Sequence, residues 1–337
     1  MKKRILITGG AGFIGVNAAA AYLQKGWNVG VLDNLSRKGT DKNLRWLKRQ
    51  GPVDFVKGDL RDPKATDRWL GRRRSGLEIV MHFAAQVAVT TSVTDPRSDF
   101  EMNAFASFNL LEAVRKSGKK PFTLYASTNK VYGGMESVKV RRKGDRYIYV
   151  NRPRGITEAD PLDFHSPYGC SKGAADQYFR DYHRIYGIPT VVFRQSCIYG
   201  PHQQGNEDQG WVAHFMKAAQ ANRGITLFGD GRQVRDVLYV GDLLKAYETA
   251  YRKRGISAGR IYNMGGGPAN TVSLLELLAW ISQRRGKKIS VKKKGWRPGD
   301  QRVFISSVDK IRRELGWKPE TRAGTGFEKL WTFLESR

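Results

Sequence analysis

The sequence predicts an α/β fold in which a doubly wound parallel sheet is joined to a smaller C-terminal substrate-binding lobe. Two observations lead to this prediction. A strand-like apolar run at 4–8 passes through three glycines directly into a helix of small residues. Strand-like and helix-like segments then alternate through roughly the first 130 residues. Such alternation is typical of parallel strands whose crossover helices cover both faces of a sheet.

The first strand and helix are separated by glycines at positions 9, 12 and 15, a spacing that fits the turn of a dinucleotide-binding βαβ unit. Gly9 permits the tight turn, Gly12 lets the backbone approach a pyrophosphate, and Gly15 lets the helix pack closely on the strand. Phe13 and Ile14 lie in the same glycine turn and are predicted to contact the cofactor, whose negative charge the N-terminus of the helix attracts. The pattern therefore predicts a Rossmann-type unit that binds a dinucleotide.

The second apolar run ends at Asp33, eighteen positions after the last of these glycines. A carboxylate there can accept hydrogen bonds from the adenosine ribose hydroxyls and would repel a 2′-phosphate, which favours NAD over NADP. Asn34, Ser36 and Arg37 follow in the same loop and are predicted to contact the cofactor. The positive charges of Arg37 and Lys38 leave NADP open as an alternative.

The next two predicted strands, 53–56 and 79–83, lead into further segments that are expected to meet the cofactor. Asp59 and Leu60 follow the first of them, at the turn that meets the adenine in this type of fold. A loop carboxylate or a helix cap is the alternative interpretation of Asp59. Three residues after the second strand complete this set of predicted contacts: Ala84, Ala85 and Gln86.

The predicted domain organisation places the nucleotide-binding domain at residues 1–200. Residues 133–166 interrupt the alternation, are basic and contain Pro153 and Pro161, so we interpret them as an insertion near the active-site mouth. Residues 201–337 are predicted to form mainly the substrate-binding lobe, which closes over the substrate, with some segments that return to the first domain.

Later elements are predicted from local patterns. A helix is expected at 105–116, with strands at 123–126 and 190–194 on either side of the insertion. In the C-terminal part we expect helices at 211–221 and 243–251 and a strand at 225–228. Ser273 and Glu276 are spaced as a capping box, which predicts the start of another helix.

Composition restricts the class of protein. The longest apolar stretches in the 337 residues fall short of the roughly 18–20 that span a membrane, and the N-terminal strand leaves no room for a signal peptide. Two cysteines are too few for a disulfide framework or a zinc site, so we expect no metal and a cytoplasmic location.

The net charge of +28 is unusually positive. It would suit nucleic acid, a membrane surface or small anionic molecules. The basic clusters lack the interleaved aromatic residues of a nucleic-acid-binding motif, which favours a solvated basic surface. We therefore expect no nucleic-acid partner.

Tyr168 and Lys172 stand four positions apart and would share one face of a helix. An ammonium group beside a phenol favours the phenolate and is predicted to lower the pKa of Tyr168. Such a tyrosine can take the proton of a sugar hydroxyl while hydride leaves the same carbon for the cofactor. A surface helix pair is the alternative for this common spacing, but the dinucleotide pattern upstream favours catalysis. A hydroxyl is expected at the end of a sheet strand, where Ser127 and Thr128 stand.

With the segment 126–133 and the pair Tyr168 and Lys172, the chain resembles the extended short-chain dehydrogenase/reductase family. The resemblance implies that Thr128, Tyr168 and Lys172 are catalytic and that Ser127 contacts the cofactor. It also implies that Asn103 steadies the lysine, that the cofactor is NAD and that the protein is a homo-oligomer, a dimer or a tetramer.

Several stretches, among them 33–39, 162–178 and 300–304, resemble members of this family that invert C2 of a CDP-linked hexose through a transient 2-keto sugar. Related dehydratases carry an Asp-Glu pair directly after the catalytic threonine, where this chain has Asn129 and Lys130, so dehydration is not expected. The resemblance assigns Arg235 and Arg302 to the diphosphate, a role that suits their fixed, forked charge. The predicted substrate contacts are Thr128, Asn129, His165, Cys170, Cys197, Gln209, Trp211, Arg235 and Arg302.

Two other functions stay open at this point. A UDP- or GDP-sugar 4-epimerase or a reductase would use the same catalytic residues, because they oxidise whichever carbon faces the nicotinamide. A more remote alternative is an NAD-binding sensor whose basic surface contacts RNA.

Overall fold

The computed structural model describes residues 2–73, 75–297 and 300–336. The chain forms two compact units. The first unit contains Met1–Val131, Ser166–Arg194 and Leu244–Tyr262. The second contains Tyr132–His165, Gln195–Leu243 and Asn263–Arg337.

These units differ in outline from the functional domains predicted from the sequence. The predicted insertion at 133–166 lies in the second unit up to residue 165, and residues 244–262 lie in the first unit. The division of function between the two parts of the chain stays a prediction.

Strands and helices follow one another along most of the chain. The strands are β1 (Arg4–Thr8), β2 (Asn28–Asp33), β3 (Val53–Lys57), β4 (Leu77–His82), β5 (Phe122–Thr128), β6 (Val140–Lys143), β7 (Arg146–Tyr149), β8 (Thr190–Gln195), β9 (Cys197–Tyr199), β10 (Ile225–Phe228), β11 (Val234–Tyr239), β12 (Arg260–Met264), β13 (Thr271–Ser273), β14 (Val291–Lys294) and β15 (Val303–Phe304). The α-helices are α1 (Phe13–Gln24), α2 (Thr40–Lys48), α3 (Pro63–Gly71), α4 (Val89–Thr94), α5 (Pro96–Phe100), α6 (Ala106–Lys116), α7 (Ser166–Tyr186), α8 (Trp211–Gln220), α9 (Val240–Arg252), α10 (Arg254–Ser257), α11 (Leu274–Arg285), α12 (Asp309–Leu315) and α13 (Ala323–Glu335). A π-helical turn covers Glu101–Phe105, and 3₁₀ turns cover Asn129–Tyr132 and Pro268–Asn270.

The central sheet has seven strands in the order β12-β8-β5-β4-β1-β2-β3. The pairs β1 with β2, β2 with β3, β1 with β4 and β4 with β5 are parallel. The predicted fold class is therefore confirmed. The strand order reverses where β1 lies between β2 and β4, and in open α/β sheets ligands bind beyond the carboxyl ends of the strands at such a point.

The core of the first unit lies between this sheet and its helices. Leu6 and Ile7 of β1 are fully buried, as expected for a strand covered on both faces. Tyr125 of β5 stacks on Phe179 of α7 with ring centroids 4.5 Å apart. The helix that carries Tyr168 is thereby fixed to the sheet.

The second unit has its own core and smaller sheets. β11 pairs with β13, β15 and β9, while β10 pairs with β14 and β6 with β7. Apolar side chains of α8, α11 and α13 pack together with β11, and Trp280 meets Trp331 at 6.1 Å. The predicted capping box is confirmed, because Ser273 and Glu276 exchange both hydrogen bonds at the start of α11.

Two kinds of feature are missing from the described residues. Within residues 2–73, 75–297 and 300–336, no helix is long and apolar enough to cross a bilayer. In the same ranges no three potential ligands from His, Cys, Asp or Glu cluster as a metal site would require.

Candidate active site

The glycine-rich turn between β1 and α1 is built so that only glycine fits. Gly9 has φ of +65°, and a Cβ there would lie 2.5 Å from the backbone nitrogen of Ala84. A Cβ on Gly15 would overlap the carbonyl oxygen of Gly9. The helix begins at Phe13 after Gly12, with no side-chain cap and no acidic residue in its first turn. Its first N–H groups stay available for an anion, so the turn fits the pyrophosphate of a dinucleotide.

Asp33 ends β2 beside this turn and is buried. Its Oδ2 accepts the N–H of Ala11 at 3.0 Å, and its Oδ1 accepts the N–H of Leu35 at 2.8 Å. Burial raises the pKa of the carboxyl, and these backbone donors oppose the rise. The carboxylate is thus held rigidly at the end of its strand, and each oxygen keeps a lone pair for a ribose hydroxyl.

The loops after β2 and β3 are tied together. The Asn34 amide donates to Asp59 at 3.0 Å, and its own oxygen accepts the N–H of Ser36. Arg61 donates to both carboxylate oxygens of Asp59 and, with Asn34, lowers its pKa to about 2. Asp59 therefore holds the loops after β2 and β3 together through its hydrogen bonds. Leu60 beside it is buried, and Arg37 is exposed.

The segment after β4 follows the same edge of the sheet. The N–H of Ala84 donates to Thr8 Oγ1 at 3.4 Å, and Ala85 follows it. The Gln86 amide donates to the carbonyl of Ala88 at 2.6 Å and accepts the N–H of the same residue. The predicted cofactor contacts of this segment thus lie in an ordered turn beyond β4.

The three predicted catalytic residues lie in the first unit and are nearly buried. Thr128 ends β5 and lies near the phenol of Tyr168 in α7, where its hydroxyl opposes the rise of the phenol pKa. Lys172, one turn further along α7, donates from Nζ to the carbonyl oxygen of Ala126 at 2.7 Å. Its ammonium also lies 4.3 Å from the ring centroid of Tyr125. The phenol of the tyrosine and the threonine hydroxyl are therefore neighbours, as acid–base chemistry on one oxygen requires.

Burial dominates the ionisation of these side chains. It raises the pKa of Tyr168 to about 12, with the Thr128 hydrogen bond and the Arg37 charge opposing the rise. It lowers the pKa of Lys172 to about 7, against the charges of Asp176 and Asp99. The net shift of the Tyr168 pKa is therefore upward, and the predicted lowering effect of Lys172 does not set its sign. The reason is that desolvation of the phenol outweighs the nearby positive charge.

Ser127 lies in a buried polar network. Its hydroxyl donates to Asp176 at 2.7 Å, and Arg194 donates to both oxygens of the same carboxylate at 3.0 and 3.1 Å. Asp176 and Arg194 are almost fully buried. The structure thus gives Ser127 a partner within the protein, and its predicted contact with the cofactor stays a prediction.

Asn103 lies in the π-helical turn between α5 and α6. Its amide donates to Asp99 at 3.0 Å and to Ser171 at 3.2 Å. The sequence did not indicate this role for Asp99 or Ser171, because Asp99 belongs to no recognisable motif and Ser171 is an unspecified position between Tyr168 and Lys172. No direct hydrogen bond joins Asn103 to Lys172 within residues 75–297, so the predicted link between them stays a prediction.

The predicted diphosphate ligands lie in the second unit. Arg235, in β11, is buried and donates to Asp300 at 2.6 Å and to the carbonyl of Val234 at 2.8 Å. Arg302 is exposed, and its guanidinium lies 5.4 Å from the ring centroid of Tyr147. Both groups keep permanent positive charge and unused donors for an anion.

The other predicted substrate contacts are divided between the units. Asn129, which accepts from Thr128 at 3.4 Å, and the exposed Cys170 belong to the first. The second unit holds the rest: the exposed His165, the partly buried Gln209, Cys197 in β9 and Trp211 at the start of α8. Trp211 packs against the core, and its buried Nε1 has no partner among the described residues. An indole with an unused donor fits a role in ligand binding better than a purely apolar role in the core.

Comparison with known proteins places this site in context. A family model described as GDP-mannose 4,6 dehydratase matches residues 6–330. A CDP-paratose 2-epimerase of Salmonella typhi is 43% identical over 338 residues, which cover 99% of each chain. The structure of a UDP-glucose 4-epimerase of Thermotoga maritima with UDP-glucose aligns over 99% of both chains, with 29% identity and a TM-score of 0.86. That of a Thermus thermophilus UDP-glucose 4-epimerase in complex with NAD covers 98% of this chain and 99% of its own, with 32% identity and a TM-score of 0.81.

Proposed function

The chain belongs to the GDP-mannose 4,6-dehydratase family of extended short-chain dehydrogenases/reductases, and we propose that it is an NAD-dependent epimerase that inverts C2 of a CDP-linked hexose. The observation that carries this proposal is that the buried side chains of Thr128 and Tyr168 are neighbours, one helical turn from the buried Lys172. The full-length similarity to a CDP-paratose 2-epimerase supports C2 and cytidine. Substrates of the CDP-paratose, CDP-tyvelose or CDP-glucose type are therefore the first to test.

The cofactor is NAD, held by the glycine turn and by Asp33. When bound, NAD supplies positive charge and accepts and returns the C2 hydrogen as hydride, so the cycle is redox-neutral. Tyr168 takes the proton of the C2 hydroxyl as the carbon is oxidised, which leaves a 2-keto sugar. Thr128 donates a hydrogen bond to the reacting oxygen. After the ketone turns over in the pocket, Tyr168 returns its proton to the oxygen of the inverted carbon.

Lys172 and the second unit have supporting roles in this proposal. The ammonium of Lys172 stabilises the phenolate of Tyr168 while that side chain carries no proton. In the second unit, Arg235 and Arg302 are the proposed ligands of the diphosphate, and Trp211 is a proposed contact of the nucleotide sugar. The segment after Thr128 reads Asn129-Lys130, which lacks an acid and base for elimination of water.

The experiment is an end-point NMR assay of the purified protein with CDP-, UDP- and GDP-linked sugars and no added cofactor. Formation of the C2 epimer of a CDP-sugar without net NADH change supports the proposal. Tyr168→Phe should then lose activity by about a hundredfold or more, because the proton acceptor is gone. The control Tyr178→Phe removes a phenol from the exposed side of the same helix and should keep full activity.

Three other outcomes would contradict the substrate assignment in different ways. Inversion at C4 of a UDP- or GDP-sugar would agree with the UDP-glucose 4-epimerases among the structural relatives. Consumption of NADH would indicate a reductase. Salt-dependent RNA binding with no sugar turnover would favour the sensor hypothesis, whereas we expect the basic surface to bind no nucleic acid.

We further propose that the protein is a cytoplasmic homo-oligomer. Cys170 and Cys197 are not joined in a disulfide, which fits a reducing compartment. Large apolar side chains are exposed on and around α4 to α7, which is unusual unless another surface covers them: Val93, Phe100, Phe105, Tyr178, Ile185 and Tyr186. A second copy of the chain is the occupant that we expect. Light scattering should give the mass of a dimer or tetramer, and a monomer mass at assay concentrations would contradict this expectation.

A further inference from the structure

Asp99 is a fully buried carboxylate near the end of α5. Its Oδ2 accepts the hydroxyl of Ser171 at 2.5 Å, and its Oδ1 accepts the amide of Asn103 at 3.0 Å. Ser171 lies in the catalytic helix, three residues after Tyr168 and one before Lys172. The hydrogen bond from Ser171 to Asp99 therefore joins the first turns of α7 to α5.

The partners of Asp99 carry no charge. No Lys, Arg or His lies within ion-pair distance of its carboxylate in residues 2–73, 75–297 or 300–336. Asp176, the other buried carboxylate that acts on Lys172, is different, because Arg194 binds both of its oxygens. Most of the charge of Asp176 is thus compensated locally, and that of Asp99 is not.

Lys172 carries a buried positive charge that likewise has no partner of opposite charge in direct contact among the described residues. Its ammonium is buried, donates to a single neutral carbonyl and lies over the ring of Tyr125. No carboxylate contacts it directly in the described chain. A buried cation needs a compensating negative charge, and in a medium of low polarizability such a charge acts over more than contact distance.

We propose that Asp99 is a positioning residue that keeps Lys172 charged and holds the start of the catalytic helix in place through Ser171. The proposal rests on the proposed function only for its catalytic consequence. The titratable and charged groups that face this pair from the surrounding elements are Tyr168 and Asp176 of α7, His82 of β4, Tyr125 of β5 and Arg194 of β8. Burial holds His82 neutral, with its pKa lowered to about 3, so it competes little for the negative charge.

The directions of the pKa shifts agree with this role. The charge of Asp99 raises the pKa of Lys172 against the effect of burial. Burial raises the pKa of Asp99 itself, and the Ser171 hydrogen bond and the charge of Lys172 oppose that rise. Removal of the carboxylate charge should therefore lower the pKa of Lys172 further. The ammonium would then lose its proton at a lower pH.

The test is an NMR titration of Lys172 with ¹³Cε-labelled lysine, its signal assigned by its absence in Lys172→Met. In Asp99→Asn, whose amide can still bond Ser171 and Asn103, the pKa of Lys172 should fall by about one unit. The control Ser171→Ala removes the hydrogen bond but keeps the charge, and should give less than half of that fall. If Asp99→Asn does not fold, Asp99→Ser tests the same loss of charge.

The outcomes separate the inference from the proposed function. An unchanged pKa of Lys172 in Asp99→Asn, or equal falls in Asp99→Asn and Ser171→Ala, would overturn the electrostatic role. A fall in Asp99→Asn together with an alkaline limb of epimerase activity that moves to lower pH by a similar amount supports both. A fall without any movement of that limb supports the role of Asp99 toward Lys172 and overturns the catalytic role of Lys172.

Discussion

Asp236 of the second unit offers a quantitative test of how burial controls ionisation in this protein. The carboxylate is fully buried at the centre of β11. Its Oδ1 accepts the hydroxyl of Ser196 at 2.5 Å, and its Oδ2 accepts the N–H groups of Gly267 and Ser306 at 3.2 and 3.1 Å. Burial raises its pKa from 3.8 to about 6, although all three donors oppose the rise.

The sign and size of the effect follow from linkage. A carboxyl group with a higher pKa in the folded than in the unfolded protein stabilises the fold when it is protonated. For Asp236 this contribution is complete below pH 3.8 and is lost as the pH rises through about 6. A difference of about two units corresponds to roughly 3 kcal/mol at neutral pH. In Asp236→Asn the amide oxygen can accept both N–H groups, and the amide NH₂ can donate to Ser196, so the bonds persist without the charge.

The assay is urea unfolding of the wild type and of Asp236→Asn at pH 5.0 and 7.5. At each pH we subtract the free energy of unfolding of the wild type from that of the variant. This difference should be about 1.4 kcal/mol more positive at pH 7.5 than at pH 5.0, because only the wild type loses the contribution of protonated Asp236. Other carboxyl groups titrate equally in both proteins and cancel in this difference. Ser196→Ala removes one hydrogen-bond donor and so should raise the pKa of Asp236 further. The stability of this variant should therefore fall more steeply between pH 5.0 and 7.5 than that of the wild type. A stability difference that is the same at both pH values would refute the reasoning.

Two further predictions concern the glycine turn and the buried ion pair of the first unit. Gly15→Ala should lose most of its bound NAD, measured by absorbance after denaturation, because the added Cβ would overlap the carbonyl of Gly9. Gly71→Ala, where a Cβ meets nothing within 4 Å, should retain it. Arg194→Met should lower the free energy of unfolding in urea by about 3–5 kcal/mol, because it leaves the buried charge of Asp176 uncompensated. A loss below about 1 kcal/mol would show that this carboxylate is neutral or hydrated.

Much of the fold could be predicted because its signals are local. The strand at 225–228 has the bounds that the apolar run predicts, and the helix expected at 211–221 spans Trp211–Gln220. The helix predicted at 105–116 is preceded by a π-helical turn at Glu101–Phe105, which no periodicity indicated. A π-turn adds one residue to the helical repeat, and such a change is decided by what the helix packs against.

The site divides in the same way. By itself the sequence determined the glycine turn, the acid that ends β2 and the spacing of Tyr168 and Lys172, because each depends on residues that are neighbours in one strand, turn or helix. Only the tertiary structure decided their ionisation and their support. Asp99 meets Ser171 across 72 positions of sequence, and burial sets the pKa of Tyr168 near 12 and that of Lys172 near 7. Desolvation depends on every group packed around a side chain, and that environment exists only once distant segments have come together.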